Sequence, residues 1–206
     1  VFHMALDGDV RRVTEGMQTI TLTSTDEGVR SGVGVRADFD EPGDVHSFAL
    51  SGRGDAVRLT DVNADLLEGK TLGAQEEIWF TAEDGNRAHG WLVTPPDFDP
   101  AKDYPLILEI HGGPFAMYQG AFDFRYQVFA ANGYVVLYTN PRGSTGYGEA
   151  FSQGIDRAYP SVDYLDRMAG VDAAIAQGMI DEDRMYVGGC SGGGVSTSSR
   201  SRRSPS

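Results

Sequence analysis

Arg184-Met185-Tyr186-Val187-Gly188-Gly189-Cys190-Ser191-Gly192-Gly193 is the stretch that decides how this chain folds. Arg184 to Val187 reads as a short strand that runs straight into glycine. Gly189-Cys190-Ser191-Gly192-Gly193 then satisfies G-x-S-x-G, the pattern of a sharp strand-to-helix turn that lifts a serine hydroxyl above the edge of a sheet. The flanking glycines suit such a turn because its backbone is strained and neighbouring chain packs closely against it. A helix starting here would set its positive dipole end beneath a reacting carbonyl. The backbone N–H of Gly192 would then be one donor to a developing oxyanion. Ser191 is the expected nucleophile.

A second donor should come from the loop after an earlier strand. Leu106-Ile107-Leu108-Glu109-Ile110 is a continuous apolar run, as expected of a strand buried on both faces. It leads into His111-Gly112-Gly113-Pro114, which matches the H-G-G oxyanion loop of esterases and related hydrolases. Around these motifs, strand and helix patterns alternate. Ile78 to Thr81 and Ala88 to Thr94 flank the turn Asp84-Gly85-Asn86 as a hairpin. Phe122 to Ala131 fits a helix stopped by Asn132-Gly133, and Tyr134 to Tyr138 is another buried strand. Val162, Leu165, Met168, Ala169 and Ile175 mark one side of a helix ending at Gly178. The acids Asp163 and Asp166, three apart on that helix, are expected on a solvated face. Such alternation implies a parallel sheet with crossover helices.

Residues 1–75 read differently. Val1-Phe2-His3-Met4-Ala5-Leu6-Asp7-Gly8, ending in Arg12-Val13-Thr14, recurs as Val45-His46-Ser47-Phe48-Ala49-Leu50-Ser51-Gly52, ending in Arg58-Leu59-Thr60. Each copy is a strand, a glycine turn and a second strand. Thr19 to Ser24 and Val29 to Phe39 add two further strands between them. Four short strands per repeat of about 40–50 residues is the signature of a propeller blade. A small β-meander is the plainer alternative. Residues 61–75 form a polar linker. The expected fold is therefore α/β: the N-terminal part of an α/β-hydrolase domain over residues 76–195, preceded over residues 1–75 by the C-terminal end of a β-propeller with its linker. The last eleven residues, 196–206, hold six serines, three arginines, a threonine and a proline. Without an apolar residue they are not expected to supply the buried helix that should follow the strand, and they read as a truncation or frameshift scar.

The net charge is −13, with 17 basic against 30 acidic residues, and this disfavours binding to nucleic acid or an anionic membrane. No stretch approaches the roughly 20 consecutive apolar residues of a membrane helix. The single cysteine, Cys190, excludes an intrachain disulfide, and the scattered histidines give no metal-ligand spacing, so neither metal nor cofactor is expected. A phosphate-binding G-K-[ST] step is absent, since no lysine follows Lys102. No leader peptide is visible, and the reading favours a cytoplasmic location for a chain whose native start is missing.

His111-Gly112-Gly113-Pro114, then Tyr138-Thr139-Asn140-Pro141-Arg142-Gly143-Ser144-Thr145-Gly146-Tyr147-Gly148, then Gly170-Val171-Asp172 and Gly189 to Gly194 together resemble the prolyl oligopeptidase family of serine peptidases, in its acylaminoacyl-peptidase and dipeptidyl-peptidase-like branch. The resemblance implies a propeller followed by a hydrolase domain, a peptide substrate and no cofactor. It implies Ser191 as nucleophile, and the N–H groups of Gly192 and Gly113 as the oxyanion hole. His111, Gly112 and Cys190 would line the site. His111 has two readings, a catalytic role or packing of its loop, and Arg142 reads as an organiser of the 140–148 loop. The fold's triad order is Ser, then Asp or Glu, then His. Fifteen residues follow Ser191 and none is Asp, Glu or His; His3, His46, His89 and His111 all lie upstream. The chain as given is thus expected to be inactive. A carboxylesterase and a non-catalytic interaction fragment are the competing readings.

Overall fold

A computed structural model of the chain describes residues 1–52 and 56–200. The chain forms two compact units, one of residues 1–70 with 119–123, the other of residues 71–118 with 124 onward. Among the described residues, no helix is long and apolar enough to cross a membrane.

The first unit is antiparallel β. Strands β1 (Phe2–Met4) and β2 (Val10–Arg12) pair as a hairpin. Strands β3 (Thr19–Thr25), β4 (Ser31–Ala37), β5 (Asp44–Ala49) and β6 (Val57–Arg58) form a four-stranded antiparallel sheet in sequence order. A one-turn helix, α1 (Ala64–Leu67), lies within the stretch read as a polar linker. In β4 the faces fall against the hydropathy of the side chains. Gly32 and Gly34 are buried, whereas Val33 and Val35 are exposed. The cause is close strand approach: a Cβ on Gly34 would stand 2.5 Å from the Thr21 carbonyl oxygen, and one on Gly32 2.8 Å from Leu22 Cδ1. The small core is Val13, Phe48 and Leu50, with Ile20 and Leu22 packed against it.

Asp44 organises the far end of this sheet. Its buried carboxylate accepts from the Thr60 hydroxyl at 2.5 Å, the Val62 N–H at 3.1 Å and Arg58 at 2.6 Å. The Thr60 hydrogen bond, the Val62 amide and Arg58 together outweigh burial and hold its pKa down at about 2.

The second unit is a five-stranded sheet with strand order β11-β9-β10-β8-β7. Its strands are β7 (Gln75–Thr81), β8 (Arg87–Val93), β9 (Tyr104–Ile110), β10 (Val135–Asn140) and β11 (Ile180–Gly189). The sheet is mixed. β11, β9 and β10 run parallel, but β8 pairs antiparallel with both β10 and β7. The expected parallel arrangement holds for β9, β10 and β11, and the expected hairpin of β7 and β8, turning at Gly85, adds two strands that make the sheet mixed, with β8 antiparallel to β10.

Helices α2 (Phe124–Ala131), α3 (Glu149–Ser152), α4 (Val162–Ile175) and α5 (Gly192–Arg200) complete the unit. β10 is buried along its whole length. Its alternate residues Val135 and Leu137 join the core that Val171 and Ala174 of α4 share with Leu106, Leu108 and Ile110. Burying each such side chain is worth roughly 1.5–3 kcal/mol. Tyr138, pointing the other way, stacks on Tyr126 of α2 with ring centroids 4.7 Å apart.

Two expectations are corrected by the helices. Asp163 and Asp166 do not face solvent: both are 0% exposed, and Leu165 is exposed instead. The aspartates are buried because each meets a guanidinium. Asp163 pairs with Arg167, and Asp166 grips Arg142 through both oxygens, at 2.9 Å to Nε and 2.7 Å to Nη2. The serine-rich end is also helical as far as Arg200. Its hydroxyls bond backward, Thr197 to the Gly193 carbonyl and Ser198 to that of Val195, both at 2.9 Å. Ser196 is buried against the Tyr159 hydroxyl at 2.9 Å. The hydroxyls are accommodated because each finds a partner, Thr197 and Ser198 in carbonyls of the preceding turn and Ser196 in Tyr159. Residues 201–206 of the expected tail lie outside the described residues.

Candidate active site

β11 ends at Gly189 and α5 begins at Gly192, so Ser191 stands at a strand-to-helix turn with one residue between it and the strand. Its φ is +57°, a left-handed value that costs a non-glycine residue of order 1–3 kcal/mol. The first helical bonds follow at once, from the Gly193 N–H to the Cys190 carbonyl at 3.0 Å and from the Val195 N–H to the Ser191 carbonyl at 3.1 Å. Ser191 and Cys190 are exposed, while Gly192 and Gly193 are buried.

The glycines of the turn are set by contact with the β9 loop. A Cβ on Gly193 would stand 2.2 Å from the Ile110 carbonyl oxygen. One on Gly192 would stand 2.4 Å from the Gly113 oxygen and 2.8 Å from the Gly113 nitrogen. Gly112 faces the serine, its Cβ position 3.4 Å from Ser191 Cβ and 3.8 Å from Ser191 Oγ. The structure therefore brings Ser191, Gly192, Gly112 and Gly113 together at the ends of two adjacent parallel strands, β11 and β9.

His111 is spent within its loop. Nδ1 lies 2.6 Å from the Gly112 carbonyl, to which it can only donate. Nε2, left as acceptor, takes the hydroxyl proton of the buried Ser144 at 3.0 Å. Burial pushes the His111 pKa down, partly opposed by the Gly112 hydrogen bond and reinforced by the nearby Arg167 charge. The packing reading of His111 is the one this geometry carries.

Arg142 organises its loop, as read from the sequence. Besides the fork onto Asp166, it reaches Asp84 at 2.6 Å, and its own N–H donates to Asp166 at 2.8 Å. The 140–148 loop then zips to the 111–118 segment, with the Phe115 N–H on the Gly143 carbonyl at 3.0 Å and the Thr145 N–H on the Ala116 carbonyl at 3.1 Å.

Three supporting residues escaped the sequence reading. Tyr159 donates its hydroxyl to the Gly192 carbonyl and so pins the first turn of α5. Ser144 holds His111. Tyr118 closes the segment that begins at His111, its N–H donating to Asn140 Oδ1 at 2.8 Å. Ser144 lay inside a quoted motif; Tyr159 and Tyr118 lay in no motif at all.

Residues 120–204 match the profile of the prolyl oligopeptidase family. A Bacillus subtilis (strain 168) protein named as the uncharacterized peptidase YuxL is 41% identical over 159 residues, covering 77% of this chain and 24% of that protein. The dipeptidyl-peptidase 5 of Porphyromonas gingivalis is 32% identical over 193 residues, covering 92% of this chain and 28% of the relative. The solved Pyrococcus horikoshii acylaminoacyl peptidase superposes with a TM-score of 0.81 at 25% identity, covering 93% of this chain and 30% of that one. The chain thus spans about a quarter to a third of the length of these relatives. With its elbow, its H-G-G loop and these matches in one sheet, the chain belongs to the prolyl oligopeptidase family.

Proposed function

We propose that these residues form the nucleophile-bearing part of a serine peptidase that cleaves short peptides through an acyl-enzyme on Ser191. The observation that carries the reading is the left-handed Ser191 at the strand-to-helix turn, with Gly192 seated against Gly113. A substrate carbonyl placed on Ser191 Oγ would have its oxygen between the N–H groups of Gly192 and Gly113. Both are backbone donors held by close packing, so they stabilise the oxyanion without reorganising. Peptidase relatives support peptide bonds as the substrate class. The four-stranded antiparallel sheet β3–β6 is in keeping with a terminal propeller blade ahead of the hydrolase domain.

The base is the missing element. Neither nitrogen of His111 is free to serve, and no Asp, Glu or His follows Ser191 in these 206 residues. A serine hydroxyl without a base is a weak nucleophile near neutral pH. The 206-residue chain alone is therefore inactive in this reading. A fluorophosphonate probe tests it: the chain should remain unlabelled, and stoichiometric labelling at Ser191 sinks the inactivity claim. Sequencing the gene past the codon for Val195 tests the parent function. An Asp followed by a His completes the triad order, and a protein containing them should lose all labelling on Ser191→Ala. Turnover of acyl-peptides in preference to short acyl esters would then separate a peptidase from an esterase.

A further inference from the structure

Asn140, the last residue of β10, is fully buried, and its carboxamide spans the backbone of Tyr118. The Tyr118 N–H donates to Oδ1 at 2.8 Å, and Nδ2 donates to the Tyr118 carbonyl at 3.0 Å. A backbone N–H can only donate and a carbonyl only accept, so this pair fixes which way the amide faces. The second Nδ2 hydrogen goes to the Tyr147 phenol oxygen at 2.8 Å. With that oxygen already accepting, the Tyr147 O–H is free to donate, and His89 Nδ1 stands 2.6 Å away to receive it. An accepting Nδ1 puts the proton of the neutral imidazole on Nε2, which lies 3.0 Å from Glu77 Oε1. The direction of every proton from His89 to the loop thus follows from one backbone amide.

The row is built in register across three strands. His89 on β8 is the partner of both Trp79 on β7 and Asn140 on β10. Its ring is stacked on Trp79, with centroids 4.3 Å apart, and tilted against Trp91 at 4.2 Å. At the other end, the Tyr118 ring meets His111 edge-on at 5.1 Å. Tyr118 closes the segment that begins with His111 and holds Gly113. None of these contacts involves Ser191.

We propose that His89 and Tyr147 are positioning residues: through Asn140 they fix Tyr118, and with it the segment that presents the Gly113 N–H to the site. The functional meaning rests on the reading of Gly113 as an oxyanion donor; the coupling itself is a property of the hydrogen-bond row. The charged neighbours of His89 are Glu77 on β7 and Arg87 on β8, while Tyr147 faces it from the 140–148 loop. Burial lowers the His89 pKa, Glu77 opposes this, and Arg87 reinforces it. A proton added at Nδ1 would point at the Tyr147 hydroxyl, whose hydrogen must then leave its acceptor. Acid should therefore loosen Asn140 and Tyr118 together.

The test is NMR on the 206-residue chain. His89 should be the neutral Nε2–H tautomer near pH 7. The Tyr118 amide and the Asn140 side-chain amide should shift with the titration of His89. Tyr147→Phe should abolish that co-titration and speed exchange of the Tyr118 amide by about tenfold, the factor expected for one lost hydrogen bond of ordinary net strength. His89→Asn keeps an acceptor near the place of Nδ1 but cannot titrate. It should preserve the slow exchange and lose the pH dependence, which a merely structural role for the ring would not produce. His111 also touches Tyr118, so its resonances are followed separately; a response that persists in both variants belongs to it. The proposal is overturned if the Tyr118 amide follows His111 alone, or if Tyr147→Phe leaves its exchange unchanged. Labelling of Ser191 in a triad-complete protein is an independent readout: its failure with the co-titration intact refutes the nucleophile and not the coupling.

Discussion

The two larger β-sheets among the described residues bury their side chains in different ways. β10, in the middle of the second unit's sheet, is buried at every position and reads Val135-Val136-Leu137-Tyr138-Thr139-Asn140. β4, in the middle of the first unit's sheet, buries glycines and exposes valines. The first is covered on both faces, with α4 on one and the aromatic rings around Tyr126 on the other. The second owes its inward face to backbone contact, since strand β3 lies too close for a side chain at Gly34. Continuous hydrophobicity therefore marks a strand sandwiched between layers. In a thin sheet with a core of a few residues, valine on the outside is no contradiction.

The comparison can be broken by substitution, read from urea unfolding with hydrogen exchange assigned to each unit. The largest effect is expected at a buried charge of the second unit. Asp166→Ala leaves the Arg142 guanidinium with the Asp84 carboxylate and the Val162 carbonyl and should cost about 3–5 kcal/mol, the range for breaking a buried pair from one side. An unchanged urea midpoint would show that these two partners suffice. Next comes Gly193→Ala, which forces a Cβ to within 2.2 Å of the Ile110 oxygen. A loss of roughly 1–3 kcal/mol in the second unit is expected, with β9 amides exchanging faster.

Hydroxyl insertion sharpens the contrast between the sheets. Val136→Thr places an oxygen where no face is wet and should cost about 1–3 kcal/mol. Val33→Thr on the open side of β4 should stay within about 0.5 kcal/mol. Equal losses would show that the exposed face of β4 is not exposed in solution.

The units should also differ in acid. Asp44 is held at about 2 in the folded first unit against an ordinary 3.8. Between those values the unfolded chain binds the proton and the folded one does not, so stability rises with pH across the window. The contribution is complete above 3.8 and lost as pH falls toward 2. In the second unit, His89 and His111 are both lowered from 6.5, chiefly by burial. The same sign applies one step higher: their contribution is complete above 6.5 and falls away on acidification below it. Exchange of β10 amides should therefore quicken at milder acidity than that of β5 amides. Thr60→Val, which removes the leading hydrogen bond to Asp44, should move only the β5 response upward in pH.

Much of the candidate site's geometry was legible because glycine leaves little choice. A Cβ on Gly189 would strike Gly193 and Ile110, one on Gly193 would strike Ile110, and one on Gly192 would strike Gly113 in the loop after β9. A strand, a G-x-S-x-G and an upstream H-G-G in the right order leave few arrangements of chain, so Ser191 could be placed from sequence. Local pattern also revealed the hairpin β7–β8, the buried strands β9 and β10, and Gly178 as the stop of α4.

What the sequence could not contain is the partner of a polar group far along the chain. Nothing local to Asp166 announces Arg142, 24 residues away, and without it two aspartates on a helix read as solvated. Nothing near Ser196 announces Tyr159, so a serine-rich helix read as a tail. Nothing near His89 announces Tyr147 or the backbone of Tyr118 beyond it. Backbone turns and apolar period are written in neighbouring residues, because sterics and desolvation act on each segment where it stands. The pairing of buried polar groups depends on which segments meet, and that is decided when the layers pack.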